Sequence, residues 1–304
     1  MVIQQQNNLS TTTHNEHLHR LVITDEAVQR QQPVLAVQIG YQLDPGIIRK
    51  DRPNEDTVYV MQGKIPSDSP STPSTPFLLL LVADGMGGQG NGQLASRLAV
   101  QSMFEYMTSS LYPYRRSRES LLSLLSASVQ YANQIVYERN QQQQTVMGTT
   151  MTAALLIGST AYVAHVGDSR FYLSRQPAGL TQITRDHSVV AALVTRGDIA
   201  PEDIHTHPRR NEIYRSLGNK ASVEVDVSTV QLVAGDVLLL CSDGLWEMAP
   251  DHQIASILAK PMPAPTDTAQ SLIQVALAGG GKDNVSAIVA RVSTYKCEDD
   301  PLFS

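Results

Sequence analysis

Cysteine is nearly absent from this sequence. Its 304 residues include two, Cys241 in an apolar stretch and Cys297 in a charged tail. Such different contexts do not indicate a disulfide framework, and they suit two reduced thiols in a reducing compartment. Long apolar runs are also missing. Runs such as 77–83 and 237–241 fall far short of the roughly 18 residues that a membrane-spanning helix needs, so no membrane association is expected.

Basic residues are few and scattered. Lysine and arginine total 23 against 29 aspartates and glutamates, which gives a net charge of −6, and the one basic cluster is Arg115, Arg116 and Arg118. Nucleic-acid binding needs a basic surface, so a nucleic-acid partner is not expected. The first 32 residues resemble neither a signal peptide nor a basic transit peptide, which predicts a cytoplasmic protein.

Composition divides the chain into three parts. Residues 1–32 are polar and Gln-rich, and residues 295–304 are charged, so both are predicted to be flexible or solvated. Residues 33–294 are then the folded domain. Within it, the Pro/Ser/Thr run 66–76 is typical of a long exposed hairpin loop.

Hydrophobic patterning predicts many short strands and three long helices. The predicted strands are 57–61, 77–83, 150–157, 161–166, 171–173, 223–233, 237–241 and 285–292. Apolar residues at three-and-four spacing predict helices over about 95–106, 122–136 and 269–276. Successive hairpins with grouped helices favour antiparallel sheets packed together with helices outside, over a doubly wound parallel sheet.

Acidic residues recur where predicted strands begin or end. They are Glu55, Asp56, Asp84, Asp168, Asp243 and Asp283. A carboxylate at the end of a rigid apolar strand has a fixed position and strong affinity for a hard cation. An all-oxygen set suits magnesium, manganese or calcium, whereas zinc usually recruits His or Cys. Any single Asp-Gly after a strand is more often a turn, so only the combination indicates a metal site.

Six short motifs in order carry a family resemblance. They are Asn54-Glu55-Asp56, Ala83-Asp84-Gly85-Met86-Gly87-Gly88, Gly148-Thr149-Thr150, Val166-Gly167-Asp168-Ser169-Arg170, Ser242-Asp243-Gly244 and Lys282-Asp283-Asn284-Val285. Together they resemble the bacterial branch of the protein phosphatase 2C family, over residues 33–294. The resemblance implies an α+β fold, a four-layer α-β-β-α sandwich of two antiparallel sheets with helices on both outer faces.

The resemblance also implies roles for the acidic residues. Asp84 would bridge two Mn²⁺ or Mg²⁺ ions, and the Gly85 carbonyl would bind the first. Asp243 and Asp283 would bind the second. Glu55 and Asp56 would hold metal-bound waters. Asp168 would help bind a third, weaker ion.

The activity implied is hydrolysis of phosphoserine and phosphothreonine in proteins, opposing a serine/threonine kinase, by a monomer. A water activated between two cations about 3.5–4 Å apart would attack phosphorus, and no nucleophilic side chain is required. Two other functions stay open: an inactive phosphatase fold that only binds a partner, which would have lost metal-binding aspartates, and another metal-dependent phosphoesterase such as a nuclease, which would have a basic groove.

Two positions depart from the family pattern. The phosphate-gripping arginine is Arg52 or Arg49, because the segment before Asn54 has two additional residues; Arg52 lies nearer the acidic pair and is favoured. Met86 stands where eukaryotic members have a proton-donating histidine, so another group must protonate the leaving oxygen. Residues 183–218 resemble the family's flap, a segment expected beside the site and in contact with protein substrates.

Overall fold

The computed structural model describes residues 19–23, 35–66, 74–111, 120–261 and 264–294, with only the backbone given for residues 19–23 and for Gln89. The strands are β1 His19–Ile23, β2 Leu35–Asp44, β3 Asp56–Ile65, β4 Thr75–Met86, β5 Gly148–Thr149, β6 Met151–Ile157, β7 Thr160–Val166, β8 Arg170–Arg175, β9 Gly179–Gln182, β10 Asp226–Gln231, β11 Val237–Cys241 and β12 Val285–Thr294. The helices are α1 Asn91–Leu111, α2 Leu121–Gln143, α3 Val189–Arg196, α4 Asp243–Trp246, α5 Asp251–Leu258 and α6 Pro265–Ala278. Short 3₁₀ helices cover Gly88–Gly90 and Pro201–His205.

The strands form two antiparallel sheets. Sheet A has the order β1-β2-β12-β11-β8-β9, and sheet B has the order β10-β7-β6-β4-β3, with β5 paired to the end of β4. The chain crosses between the sheets several times, so neighbouring strands are often distant in sequence. Residues from all parts of the chain therefore meet at the ends of the sandwich.

Strand β4 shows why its sequence is continuously apolar. Leu78, Leu80 and Val82 face sheet A in the core between the sheets, while Leu79 and Leu81 pack with α1 and α2 on the outer face. Both faces of the strand are buried, so alternation with polar residues would place a polar group in one core or the other.

Three apolar layers hold the elements together. One lies between sheet B and the helices α1 and α2, one between the two sheets, and one between sheet A and the helices α4, α5 and α6. This order of layers confirms the predicted α-β-β-α sandwich. In the described ranges, no helix combines the length and the apolar character needed to cross a bilayer.

Several elements differ from the sequence prediction. Strand β1 lies within the segment 1–32, which is predicted from its composition to be flexible. In the structure it pairs with β2 and forms the edge of sheet A. Strands β2, β5 and β9 and helices α3, α4 and α5 were not predicted, and β10 is shorter than the predicted 223–233. The tail 295–304, most of the loop 66–76 and the basic cluster at Arg115 lie outside the described residues. The domain boundaries stay a prediction.

Candidate metal centre

Sheet B contributes two carboxylates from neighbouring strands. Asp56 at the start of β3 is paired with Asp84 near the end of β4, so their side chains leave the same face of the sheet. That face is the inner one, because Leu80 and Val82 have the same parity as Asp84 and pack between the sheets. Strand β4 runs on to Met86, so Asp84 lies inside the strand and not, as the sequence suggested, at its end.

Sheet A contributes two more carboxylates at the same end of the sandwich. Asp243 begins α4 just after β11, and Asp283 comes just before β12. Strands β11 and β12 are antiparallel neighbours, so the end of one adjoins the start of the other. A β-carbon at Gly244 would lie 2.0 Å from the carbonyl oxygen of Asn284, so this approach requires glycine.

Hydrogen bonds join the two sheets beneath these carboxylates. The buried hydroxyl of Ser242 donates to Oδ2 of Asp56 at 2.6 Å and accepts from the backbone N–H of Ser286 at 3.0 Å. The backbone N–H of Glu55 donates to Oδ1 of Asn284 at 2.8 Å, and the Asn284 amide donates to the Pro45 carbonyl at 2.9 Å. The relative position of the acidic groups is thus fixed by short, mostly buried contacts.

The backbone of Asp84 is held from a third strand. Its N–H donates to Oγ1 of Thr150 at 2.8 Å, and its carbonyl accepts from Oγ1 of Thr149 at 2.8 Å. Oγ of Ser169 lies 2.7 Å from Oγ1 of Thr150. The Gly-Thr-Thr motif therefore acts as a clamp on the Asp84 backbone.

Asp168 comes from the loop in which the chain crosses from β7 in sheet B to β8 in sheet A. It is 6% exposed, and its backbone carbonyl accepts a 3.0 Å hydrogen bond from Nε1 of Trp246. Burial raises the pKa of its carboxyl to about 7, with a further increase from Asp186, while Arg170 opposes the shift.

The pKa shifts show that these acids are neighbours. Burial raises the pKa of Asp84 well above its usual value, and the charges of Asp243, Asp56, Asp168 and Asp283 raise it further. Burial likewise raises the pKa of Asp243, with further increases from Asp168 and Asp283. The five side chains therefore form one cluster of mutually repelling carboxyl groups, and their role as metal ligands stays a prediction.

Two oxygens in the cluster have no donor. Oδ1 of Asp56 and Oδ1 of Asp243 are both buried and lack any hydrogen-bond partner. Burial raises the pKa of Asp56 to about 7, although its bond from Ser242 opposes the shift. An unpartnered buried carboxylate oxygen is costly unless a cation or a donor comes to it, so these atoms fit a hard divalent cation.

Arg49 reaches the cluster, and Arg52 does not. Nη1 of Arg49 lies 2.6 Å from Oδ1 of Asp283 and 3.4 Å from Oε2 of Glu55. Arg52 is exposed, and its backbone closes a turn onto the Arg49 carbonyl at 2.8 Å. The residues before Asn54 form a turn that exposes Arg52 and leaves Arg49 at the carboxylates, and which of the two arginines binds the substrate phosphate stays a prediction.

Glu55 and Gly85 lie where β3, β4 and α1 meet. The Gly85 N–H donates to the Glu55 carbonyl at 3.1 Å, and a β-carbon at Gly85 would lie 2.0 Å from the carbonyl oxygen of Gly92. Burial raises the pKa of Glu55, while Arg49 lowers it. The roles expected of Glu55 and of the Gly85 carbonyl stay predictions.

The carboxyl groups of the cluster are neighbours, but they do not converge on one point as the ligands of a bound metal ion do. Among the described residues, no three His, Cys, Asp or Glu side chains converge as ligands of one metal ion do. Carboxylates repel one another, and the ion pair with Arg49 holds Asp283. The side chains would have to move closer together for three of them to contact one cation.

Sequence reasoning assigned no role to Ser242, Asn284 or Trp246, although each contacts the cluster's backbone or side chains. A signal was available for Ser242, which has the parity of Leu238 and Leu240 and must therefore face the other sheet. No comparable signal marks Trp246, since its partner lies 78 residues away.

The segment 183–218 is attached beside the cluster. It contains α3 and the 3₁₀ turn Pro201–His205, and its base is tied down by the buried ion pair of Arg170 with Asp186 at 2.7 Å. Met86 is partly exposed and paired with Gly148. Its thioether has no proton to donate.

Comparison with known proteins agrees with this architecture. The family model described as protein phosphatase 2C matches residues 47–277. A serine/threonine protein phosphatase PstP from Mycobacterium tuberculosis is 36% identical over 263 residues, which are 86% of this chain and 46% of that protein. The chain thus spans about half the length of that relative. A serine/threonine phosphatase stp from Listeria monocytogenes is 37% identical over 226 residues, which are 73% of this chain and 87% of that protein.

A solved structure gives the same result. The catalytic domain of serine threonine protein phosphatase PstP in complex with two manganese ions superposes with a TM-score of 0.68 and 34% identity, covering 85% of this chain and 99% of that one. The matching family model, the two relatives and the shared sandwich together show that this chain belongs to the protein phosphatase 2C family.

Proposed function

We propose that this chain hydrolyses phosphoserine and phosphothreonine in proteins, with divalent cations bound at the carboxylate cluster. The observation that carries the proposal is the pair of buried oxygens without donors, Oδ1 of Asp56 and Oδ1 of Asp243, inside a group of five neighbouring aspartates. Membership of the phosphatase family supports it. Each aspartate that the family pattern requires is present, which disfavours an inactive binding protein.

The donor set suits two Mn²⁺ or Mg²⁺ ions, and a third weaker one. The residues that would hold the two ions are Asp84, the Gly85 carbonyl, Asp243 and Asp283, with Glu55 and Asp56 orienting coordinated water and Asp168 serving the third ion. Bound cations of this kind supply a water of lowered pKa and neutralise charge on the transferred phosphoryl group. Phosphoryl transfer needs mainly positioning and charge stabilisation, which these carboxylates would provide through the cations they hold.

Arg49 would bind the substrate phosphate. Its guanidinium is 30% exposed at the cluster, and Nη1 alone makes the contacts to Asp283 and Glu55. The remaining N–H groups can donate to two phosphate oxygens at once. The loop before it is anchored, since the Pro45 carbonyl accepts from Asn284 and the Ile48 N–H donates to the Gly281 carbonyl at 3.1 Å.

The partners we propose are phosphoproteins modified by a serine/threonine kinase. A chain with a net charge of −6 suits protein substrates better than nucleic acid, and we propose that it acts as a monomer without membrane association. A cytoplasmic location is proposed with it, consistent with the free, buried thiol of Cys241.

The test is phosphate release from a phosphothreonine peptide. The purified protein should release phosphate with Mn²⁺ or Mg²⁺ and stop when a chelator is added. Asp243→Asn removes a proposed ligand and should reduce the rate at least about 100-fold at fixed Mn²⁺. Full activity of this variant, or equal activity with chelator present, would contradict the two-metal assignment.

A further inference from the structure

The chain has one tryptophan, Trp246, and it contacts the backbone of a residue of the candidate site. Trp246 ends α4, the short helix that Asp243 begins, and it is 2% exposed. Its Nε1–H donates to the backbone carbonyl of Asp168 at 3.0 Å. The indole thereby connects the loop between the sheets to the segment that follows β11, and both partners are buried.

Arg170 fixes the plane of this indole. Its Cζ lies 3.7 Å from the centroid of the Trp246 ring system, within the range of a close cation–π stack. The guanidinium cannot turn away, because Nε and Nη2 donate to Asp186 at 3.0 and 2.7 Å and Nη1 donates to the Tyr172 hydroxyl at 2.7 Å. The side chain of Arg170 is 9% exposed, so these contacts are little screened by solvent.

The residue held in this way belongs to the cluster. Asp168 is 6% exposed, and it lies against α4, the four-residue helix that Asp243 begins and Trp246 ends. Its carbonyl contacts the indole. A rotation of the Asp168 backbone would therefore break the bond from Trp246 and move the carboxyl relative to Asp243.

We propose that Trp246, oriented by Arg170, is a positioning residue that fixes Asp168 against Asp243 and thereby sets the affinity of this side of the cluster for divalent cations. The inference rests on the proposed function, because it takes these carboxylates as metal ligands. Trp246 acts through the Asp168 backbone.

The direct test is Trp246→Phe, which retains an aromatic ring beneath Arg170 and removes the N–H. In a calorimetric titration of the metal-free protein with Mn²⁺, the most weakly bound ion should bind about 10- to 100-fold less tightly than in the wild type. The Mn²⁺ concentration for half-maximal phosphopeptide hydrolysis should rise by a similar factor, and excess Mn²⁺ should restore the rate.

The matched control is Tyr172→Phe, which removes a buried hydroxyl from the opposite side of Arg170. It should lower the unfolding temperature to a comparable extent, because each variant leaves one buried group without its partner, the Asp168 carbonyl in Trp246→Phe and Nη1 of Arg170 in Tyr172→Phe. The Mn²⁺ titration of Tyr172→Phe should match the wild type. Wild-type affinity in Trp246→Phe overturns the inference. Equal weakening in both variants also overturns it, since the effect would then be a general loosening.

A measurement on the wild type covers the case in which Trp246→Phe does not fold. The single indole N–H gives one NMR signal, which should shift when Mg²⁺ is added and should no longer shift in Asp168→Ala. A signal unchanged at saturating Mg²⁺ overturns the inference. If the wild type neither binds Mn²⁺ nor releases phosphate, the proposed function itself fails; if it does both while the indole signal stays fixed, only the inference fails.

Discussion

The hydroxyl of Ser242, which directly follows a strand of sheet A, donates a 2.6 Å hydrogen bond to Oδ2 of Asp56 in sheet B. Both residues are buried, and the other oxygen of Asp56 has no donor. The bond therefore fixes the carboxyl at the junction of the two sheets and leaves one oxygen available to a cation.

Removing this bond should weaken both the fold and the metal centre. Ser242→Ala leaves the Asp56 carboxylate without the donor that partly stabilises it, so we expect a loss of about 1–3 kcal/mol in the free energy of unfolding and weaker Mn²⁺ binding. Denaturant unfolding and Mn²⁺ titration measure the two effects. The control is Ser128→Ala, since Ser128 is buried in α2 and bonds only within its helix; an unaltered Mn²⁺ affinity in Ser242→Ala would refute the role.

The two arginines before the acidic pair should differ sharply. Arg49→Ala removes a guanidinium at the carboxylates and should lower kcat/KM for a phosphothreonine peptide by about 10- to 100-fold, the loss expected for a charge-assisted hydrogen bond. Arg49→Lys should recover only part of this, because an ammonium cannot bind two phosphate oxygens in a plane. Arg52→Ala is the matched control and should be neutral. A larger defect in Arg52→Ala than in Arg49→Ala would reverse the assignment.

The metal-free protein should be more stable in mild acid than at neutral pH. Burial raises the pKa of Asp56 and of Asp168 to about 7 in the folded protein, against about 4 in the unfolded chain. Between these values the folded state binds more protons than the unfolded state, so the free energy of unfolding falls as pH rises from about 4 to about 7. Thermal unfolding at a series of pH values, in chelator, measures this.

Saturating Mn²⁺ should reverse that trend, because cations and protons compete for the same oxygens. Asp243→Asn supplies the control, because it removes a carboxyl group whose pKa is raised by burial and whose charge therefore destabilises the metal-free fold. In chelator at pH 7.5 this variant should unfold at a higher temperature than the wild type. In Mn²⁺ its rate of phosphate release should nevertheless be far below that of the wild type. A metal-free protein whose stability rises steadily from pH 5 to pH 8 would show that the carboxylates do not repel one another as described.

Two glycines near the cluster should tolerate alanine very differently. A methyl group at Gly85 would lie 2.0 Å from the Gly92 carbonyl oxygen, so Gly85→Ala must separate β4 from the start of α1. We expect a loss of at least about 1–3 kcal/mol in the free energy of unfolding, with reduced activity. Gly88→Ala meets nothing within 4 Å and should change stability little. Equal unfolding midpoints for the two variants would contradict the close approach.

Much of the fold was predictable because buried positions are occupied by apolar residues, whose spacing along the sequence indicates a strand or a helix. Strand β4 is apolar at every position from Phe77 to Ala83 since both of its faces are covered, and α1 repeats its buried residues at helical spacing. Elements with a weaker trace were missed. Strand β1 sits in a polar, Gln-rich segment, and α4 is too short to show a period.

The candidate site divides in the same way. The sequence by itself indicated which side chains are candidates to hold a cation, because Asp84, Asp243 and Asp283 stand in or beside apolar strands, and their roles as ligands stay predictions. It left open which arginine accompanies them, since the spacing before Asn54 is compatible with either, and only the turn that exposes Arg52 decided for Arg49.

Tertiary structure alone decided how these groups are fixed relative to one another. The bond between Ser242 and Asp56 spans 186 residues of sequence, and the bond between Trp246 and Asp168 spans 78. Contacts of this kind depend on how the two sheets are placed against each other. That placement follows from packing across a whole core, and no short stretch of sequence contains it.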